Sequence, residues 1–211
     1  WQQRPPVYAG AEPKLDLWQV MQTIGSELPA DTIVTNGAGN FATWAHRFHR
    51  YTGLRTQLAP TAGSMGYGLP AAVAAKIAAP ERTVVTIAGD GEFMMTVQEL
   101  ATAVQYRAGV IAIVFNNGMY GTIRMHQERE FPGRAYATTL ANPRFDLLAQ
   151  AFGCFGAVVE TTAQFAPVLA QAAAHAREKR LPAVIELACD PEVITPNATL
   201  AAIRATAQPR R

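Results

Sequence analysis

A carboxylate and two amide side chains follow two apolar segments of this chain. Gly89-Asp90-Gly91 ends the run "RTVVTIAG", and Asn116-Asn117-Gly118 ends the run "GVIAIVFNN". The simplest interpretation of Asp90 is a helix N-cap, in which its carboxylate accepts backbone N–H groups and the glycines permit the turn. The second interpretation takes both turns together, because carboxylate, amide and backbone carbonyl oxygens are the ligands that Mg²⁺ or Ca²⁺ prefers.

Such a metal site needs further ligands. The two turns supply too few oxygens for six-fold coordination, so the open positions suit water and phosphate oxygens. Glycine-exposed N–H groups and the N-terminus of a following helix also favour a diphosphate. The second interpretation therefore predicts a metal ion that holds a diphosphate group.

The elements around these turns alternate between helices and strands, and the central strands are continuously apolar. This pattern predicts one doubly wound α/β domain, with a mostly parallel sheet and helices on both faces. Glycine-rich turns at 36–40, 62–68 and 89–91 follow strands and mark the ligand-binding edge. The predicted order is helix 15–28, a short strand within 32–40 that ends in the first turn, a helix from Phe41, strand 54–60, helix 69–79, strand 82–89, helix 96–108, strand 109–117, loop 119–137, helix 144–152, strand 154–160, helix 163–179 and strand 182–189.

Composition excludes several classes of protein. The chain has 211 residues, 49% hydrophobic and 16% charged, and a net charge of +2, which gives no basic surface for nucleic acid. No apolar run reaches the roughly 18 residues of a membrane span. Cys154 and Cys189 are too few and too far apart for a disulfide framework, so we expect buried free thiols in a reducing compartment, the cytoplasm.

The ends of the chain differ from its centre. Residues 1–14 are expected to form a Pro-rich linker, 15–190 the α/β domain, and 191–211 a loosely ordered tail. The sequence begins without an initiator Met or a signal peptide. We therefore expect a domain cut from a longer protein.

Gly89-Asp90-Gly91 followed one helix and one strand later by Asn116-Asn117 resembles the signature of thiamine diphosphate (ThDP) enzymes. "GSMGYGLPAAVAAKIA" (63–78), "EFMMTVQELATAV" and "DPEVITPNATL" (190–200) resemble the acetolactate synthase branch. The likeness covers nearly the whole chain but only one part of such an enzyme, its C-terminal diphosphate-binding (PP) domain.

The resemblance implies roles for particular residues. Asp90 and Asn117 would bind Mg²⁺ through their side chains, and Met119 would bind it through its carbonyl. The Gly63 carbonyl would receive the cofactor's amine, and Met65 would prop the cofactor in a bent shape that brings the amine to the thiazolium C2–H. Apart from this resemblance, Met65 would read as core filling. The cofactor-binding set implied in this way is Gly39, Asn40, Phe41, Gly63, Met65, Gly89, Asp90, Gly91, Glu92, Asn117, Met119, Tyr120 and Gly121.

The chemistry implied by the family is addition of the cofactor's C2 carbon to a 2-oxo acid, loss of CO₂, and transfer of the carbanion to a second acceptor or a proton. The catalytic glutamate of the family lies in an N-terminal pyrimidine-binding domain, which usually belongs to a neighbouring subunit. No part of this chain resembles that domain, so we expect the chain alone to be inactive. The family also implies a homodimer or homotetramer.

Four positions depart from the family pattern. Glu92 replaces a small residue, and an anion there must turn away or weaken diphosphate binding unless it is neutralised. Asn40-Phe41 replaces a Gln-His pair. Ile123 replaces the glutamate of simple pyruvate decarboxylases, which favours carboligation, whereas His126 replaces a Trp that selects the second substrate. A 2-oxo acid decarboxylase of the benzoylformate or sulfopyruvate type, a non-catalytic assembly module and a natural short subunit stay open as alternatives.

The remaining polar residues suggest surface positions. His46 and His49 lack a third ligand and are expected on a helix surface rather than in a metal site. Arg124, Glu128, Arg129 and Glu130 are expected on a solvated helix face, with a mobile lid over the cofactor as the alternative.

Overall fold

The computed structural model describes residues 3–8 and 13–207, and the domain within them is a six-stranded parallel sheet covered by helices. The expected fold class is confirmed. The strands are β1 Ile33–Asn36, β2 Gln57–Leu58, β3 Val84–Gly89, β4 Ile111–Asn116, β5 Phe155–Val159 and β6 Ala183–Ala188, with a separate pair β7 Val193–Thr195 and β8 Ala198–Thr199. The helices are α1 Leu17–Glu27, α2 Ala42–Phe48, α3 Gly68–Ala78, α4 Asp90–Thr96, α5 Glu99–Gln105, α6 Gly121–Glu130, α7 Phe145–Ala151, α8 Thr162–Glu178 and α9 Leu200–Ala205.

The sheet order creates a crevice beside β1. The strands lie in the order β2-β1-β3-β4-β6-β5, so the chain goes from β1 to the edge strand β2 and then returns to the other side of β1 as β3. The connections therefore diverge between β1 and β3. In doubly wound sheets this reversal leaves a ligand-binding crevice outside the carboxyl ends of the two strands.

Two apolar clusters cover the sheet, one on each face. Along β4, Ile111, Ile113 and Phe115 belong to one cluster, whereas Ala112 and Val114 belong to the other. Successive side chains of a strand point to opposite faces, and here both faces are buried. This explains why the central strands are apolar without alternation.

Local signals start α1 and α8 at the expected places. The Asp16 carboxylate accepts the N–H groups of Trp18 and Gln19 at 2.9 and 3.2 Å and so caps α1. Thr161 and Gln164 form a capping box at the start of α8. The Asp16 N–H also donates to the Thr162 hydroxyl at 2.8 Å, which ties the starts of the two helices together.

Residues near both ends pack more closely than expected. Tyr8, in a short 3₁₀ helix at Pro6–Tyr8, is 4% exposed and stacks on Trp44 with ring centroids 5.8 Å apart. The expectation of a loose tail is wrong for the described part, because Ile194 and Leu200 are each 2% exposed and α9 packs on α6. The parts of the expected linker and tail at 1–2, 9–12 and 208–211 lie outside the described residues.

Three predicted elements have different bounds. The helix expected from residue 96 begins at Asp90, directly after β3, and is broken into α4 and α5. The expected loop 119–137 contains α6. The strand expected at 54–60 is reduced to Gln57–Leu58, both exposed, because it forms the edge of the sheet. Among the described residues, no helix combines the length and apolarity that crossing a bilayer requires.

Candidate cofactor site

A cavity of about 240 Å³ opens at the carboxyl ends of β1, β3 and β4, at the sheet reversal. It is smaller than the roughly 300–1,000 Å³ of a complete small-molecule site. The whole predicted cofactor-binding set lines it: Gly39, Asn40, Phe41, Gly63, Met65, Gly89, Asp90, Gly91, Glu92, Asn117, Met119, Tyr120 and Gly121.

The Asp90 carboxylate joins the turns after β3 and β4. It is 3% exposed, and its Oδ1 accepts the Gly91 N–H at 2.8 Å. Its Oδ2 accepts the Gly118 N–H, also at 2.8 Å, so the acidic turn and the amide turn meet as predicted. The N-cap of α4 is Gly89 rather than Asp90, and the N-cap interpretation of Asp90 is therefore wrong.

Burial raises the pKa of Asp90, while the Gly91 N–H, the Asn142 amide and the Gly118 N–H act in the opposite direction. These donors favour the carboxylate form. A cation beside Asp90 would favour it further. The buried carboxylate is thus suited to a divalent ion.

Asn142 holds Asp90 in place, and no local sequence pattern points to it. Its Nδ2 donates to Asp90 Oδ2 at 2.8 Å and to Asn116 Oδ1 at 2.9 Å. Asn116 Nδ2 in turn donates to Glu186 Oε1 at 2.7 Å, so Asn116 belongs to a buried support network. The Asn-Pro step before α7 signals only a turn in the sequence.

Asn117 and Met119 face the cavity from the same turn as Gly118. Asn117 Oδ1 accepts the Met119 N–H at 3.3 Å, and Gly118 has a φ of 69°, which favours glycine. Backbone hydrogen bonds to the segment 138–140 hold this turn. The three predicted metal ligands, Asp90, Asn117 and Met119, are therefore adjacent. Within residues 3–8 and 13–207, no group of three or more His, Cys, Asp or Glu side chains could hold a metal.

Aromatic rings explain why glycines flank Asp90. A Cβ on Gly89 would lie 2.8 Å from the Phe41 ring, and a Cβ on Gly91 would lie 2.4 Å from the Tyr120 ring. Any larger residue would displace these rings from the cavity wall. Asn40, beside Phe41, receives a hydrogen bond from the Thr122 hydroxyl at 3.0 Å, which connects the first turn to α6.

Gly63 and Met65 lie across the cavity on the turn before α3. Gly63 has a φ of 66°, and Met65 is 37% exposed. An exposed apolar side chain at the cavity mouth is not filling a core, which removes the simplest alternative for Met65.

Glu92 lines the cavity, but its carboxyl turns away from it. The side chain is 2% exposed, and Oε1 accepts the Gly68 N–H at 3.3 Å, beneath the turn before α3. Burial raises the pKa of Glu92 to about 7. The anion expected to weaken diphosphate binding is therefore turned aside.

The expectation of a solvated face on α6 is wrong for two of its residues, Arg124 and Glu128. Glu128 is fully buried, and it pairs with Arg124 at 3.0 Å and with Arg204 of α9 at 2.8 Å. Arg129 is exposed and contacts His126, which does not line the described cavity.

The cavity also has apolar walls that the sequence did not predict. They come from α1, α2 and the C-terminal segment: Leu17, Trp44, Val193 and Ile194.

The two histidines of the pair have separate neighbours. His46 is exposed, and its Nε2 lies 3.2 Å from Asn36 Oδ1. The half-buried His49 packs edge-on against Tyr51 with centroids 4.7 Å apart. The expected helix surface is confirmed for His46. Cys154 and Cys189 are both free thiols, and Cys154 is buried as expected, whereas Cys189 is only partly buried.

Fold and site together define a doubly wound α/β domain with a cavity at the carboxyl ends of its strands. The family model of the thiamine pyrophosphate enzyme, C-terminal TPP binding domain, matches residues 37–187. The chain therefore belongs to this family, as the C-terminal ThDP-binding domain of the acetolactate synthase-like branch.

Its relatives include several enzymes. The chain is 39% identical over 139 residues to the acetolactate synthase isozyme 2 large subunit of Escherichia coli (strain K12), covering 65% of this chain and 25% of the relative. It is 32% identical over 179 residues to the sulfoacetaldehyde acetyltransferase of Alcaligenes xylosoxydans xylosoxydans, covering 84% and 30%. The structure of the Rhodococcus jostii RHA1 thiamine diphosphate-dependent 4-hydroxybenzoylformate decarboxylase matches with a TM-score of 0.75 and 28% identity, covering 86% and 34%. The chain thus spans between a quarter and about a third of these relatives.

Proposed function

We propose that this chain is the diphosphate- and Mg²⁺-binding domain of an enzyme that decarboxylates a 2-oxo acid and transfers the product carbanion to a second acceptor. The observation that carries the proposal is the hydrogen bond from Gly118 N–H to Asp90 Oδ2, which brings the acidic turn and the amide turn to one point of the cavity. The relatives named acetolactate synthase and sulfoacetaldehyde acetyltransferase support an acyl transfer.

The residues present fit Mg²⁺ and ThDP. Asp90, Asn117 and the Met119 carbonyl offer hard oxygen ligands, and the remaining positions are available to diphosphate and water. The diphosphate would lie at the start of α4, against the backbone of Gly89 and Gly91. When bound, ThDP supplies the nucleophilic thiazolium carbon and the electron sink for loss of CO₂.

The protein's part is to bind and orient. Met65 would support the cofactor from the cavity wall, and the Gly63 carbonyl would receive its amine. Ile123, half-exposed on the cavity wall, places no titratable group there, which favours transfer to an acceptor over protonation. In this proposal, the pyrimidine-binding domain completes the site. That domain belongs to the same or to a neighbouring subunit of a homodimer or homotetramer. The proposed location of the enzyme is the cytoplasm.

A second candidate is a 2-oxo acid decarboxylase, favoured by the structural similarity to the 4-hydroxybenzoylformate decarboxylase. The two candidates differ in the fate of the carbanion. The full-length enzyme incubated with pyruvate, benzoylformate or glyoxylate distinguishes them by product analysis, since a carboligase forms a carbon–carbon bond and a decarboxylase releases an aldehyde.

We expect this chain alone to show no steady decarboxylation, because the catalytic glutamate would come from the pyrimidine-binding domain. Adding that domain as a separate polypeptide, or testing the full-length protein, should restore activity and a saturable calorimetric heat with ThDP and Mg²⁺. Steady turnover by the purified chain would contradict the proposed division of labour. Absence of heat in the full-length protein would favour a non-catalytic module.

Asn142→Ala should weaken Mg²⁺-dependent ThDP binding about 10- to 100-fold, the usual cost of removing a residue that orients a metal ligand. The substitution removes the hydrogen bond at 2.8 Å to Asp90 without changing any proposed ligand. Calorimetric Kd values for ThDP at several Mg²⁺ concentrations measure the effect. Gln105→Ala, which truncates an exposed amide side chain on α5, is the control. An unchanged Kd in Asn142→Ala would show that Asp90 needs no support from Asn142.

A further inference from the structure

We propose that Glu92 is a positioning residue, whose carboxyl joins the three glycine-rich turns of the site and holds the turn that carries Gly63 and Met65. The inference rests on the proposed function and extends it to a residue that does not itself touch the cofactor's reacting atoms. It gives a structural role to one of the four positions that depart from the family pattern.

Glu92 directly follows the turn at 89–91, and its carboxyl contacts the other two turns. Its Oε1 accepts the Gly68 N–H at 3.3 Å, at the end of the turn before α3. A Cβ on Gly37, in the turn after β1, would lie 1.7 Å from Oε1, so the carboxyl fills the space that this glycine leaves open.

The turn before α3 needs such a support, because it has little packing of its own. Residues 61–65 are all exposed, and Gly63 and Gly66 have φ angles of 66° and 80°. Exposed segments rich in glycine lose much conformational entropy when they are ordered. The position of Met65 therefore depends on the contacts at the end of its turn.

A second side chain of α4 acts on the same turn. The Thr96 hydroxyl donates to the Gly66 carbonyl at 3.0 Å, and Thr96 lies four residues after Glu92, on the same face of the helix. From the other side, the Thr35 hydroxyl donates to the Gly68 carbonyl at 2.8 Å. The helix that begins at Asp90 is thus attached to the turn carrying Met65. Through Glu92, the diphosphate half and the aminopyrimidine half of the site become one unit.

Two variants distinguish the effect of side-chain length at Glu92 from the effect of its charge. Glu92→Gln keeps an oxygen acceptor at the same distance and removes the charge, whereas Glu92→Asp keeps the charge and shortens the side chain by one methylene. In the full-length enzyme with Mg²⁺, Glu92→Asp should raise the Kd for ThDP about tenfold, as expected for one lost hydrogen bond, and leave the Kd for inorganic pyrophosphate within about twofold. Glu92→Gln should stay within about twofold of wild type for both ligands.

Hydrogen exchange of the apo enzyme gives an independent measurement. The amides of 63–68 should exchange faster in Glu92→Asp than in wild type or Glu92→Gln. If Glu92→Gln instead tightens pyrophosphate binding while Glu92→Asp resembles wild type in both assays, Glu92 acts through its charge and the proposal is wrong. It is also wrong if both variants exchange like wild type. Wild-type protein that binds neither ligand would defeat the proposed function alone, because the exchange comparison needs no cofactor.

Discussion

Asp90→Asn is expected to raise the Kd for ThDP about 100-fold or more and to remove its dependence on Mg²⁺. Asparagine has nearly the same shape, but its NH2 group replaces one of the two oxygens that accept the N–H groups of Gly91 and Gly118, so the change removes both the charge and one acceptor. The buried carboxylate is the one anionic ligand in the proposed metal set, and hard divalent ions depend strongly on such a ligand. Loss of a residue that only orients a ligand already costs 10- to 100-fold.

Calorimetric titration of the full-length enzyme with ThDP, at a series of Mg²⁺ concentrations, measures this effect. Asp31→Asn is the matched control. Asp31 is largely exposed, pairs with Arg82 at 3.6 Å and is not one of the proposed ligands. We expect the control to bind like wild type. An Asp90→Asn enzyme that keeps Mg²⁺-dependent ThDP binding would exclude Asp90 as the metal ligand and would remove the main support for the proposed function.

Glu128→Gln is expected to lower the free energy of unfolding at pH 7 by about 3 kcal/mol, because it removes one charge of a buried ion network and leaves two arginines without their partner. Arg204 Nε and Arg124 Nε lie 2.8 and 3.0 Å from the carboxylate, and the Gly133 N–H donates to it at 2.8 Å. Urea unfolding monitored by circular dichroism measures the loss. Glu178→Gln is the control, since Glu178 pairs with Arg177 on an exposed part of α8 and should change stability little.

The Glu128 carboxylate also makes the free energy of unfolding depend on pH. Hydrogen bonds from Arg204 outweigh burial and, with those from Gly133 and Arg124, lower the pKa of Glu128 from 4.5 to about 2. A folded pKa below the unfolded one stabilises the fold above pH 4.5, and this contribution is lost as the pH falls from 4.5 towards 2. The stability difference between wild type and Glu128→Gln should therefore shrink between pH 5 and pH 3. A difference that stays constant over this range would mean that Glu128 acts by packing alone.

Loss of the Glu128 ion network should also affect the cofactor cavity, because of where Glu128 lies. It fastens α9 to α6, and α6 begins at Gly121 beside the cavity. Ile194, between the sheet and α9, lines the same cavity. Loss of this ion network should therefore loosen the wall that the C-terminal segment contributes.

Much of the fold and of the candidate site followed from the sequence alone. The doubly wound class came from continuously apolar strands separated by helices, and the meeting of Asp90 with the turn at Gly118 came from the rule that parallel strands end at one edge. Both are consequences of local patterns: which residues form a strand, and where glycine ends it. The signature around Asp90 and Asn117 also identified the family, because a cofactor site of this kind needs particular residue types at particular turns.

Only the tertiary structure decided which distant side chains meet. Asn142 reaches Asp90, Glu186 reaches Asn116, and Arg204 reaches Glu128 across long stretches of chain, and no local pattern encodes these partners. The direction of Glu92 is of the same kind: one position on α4 can face either the cavity or the turn before α3, and the space left by Gly37 settles the choice. Burial and hydrogen bonding depend on the surroundings of a group in three dimensions, so a polar residue that looks solvated in sequence can be the centre of a buried network.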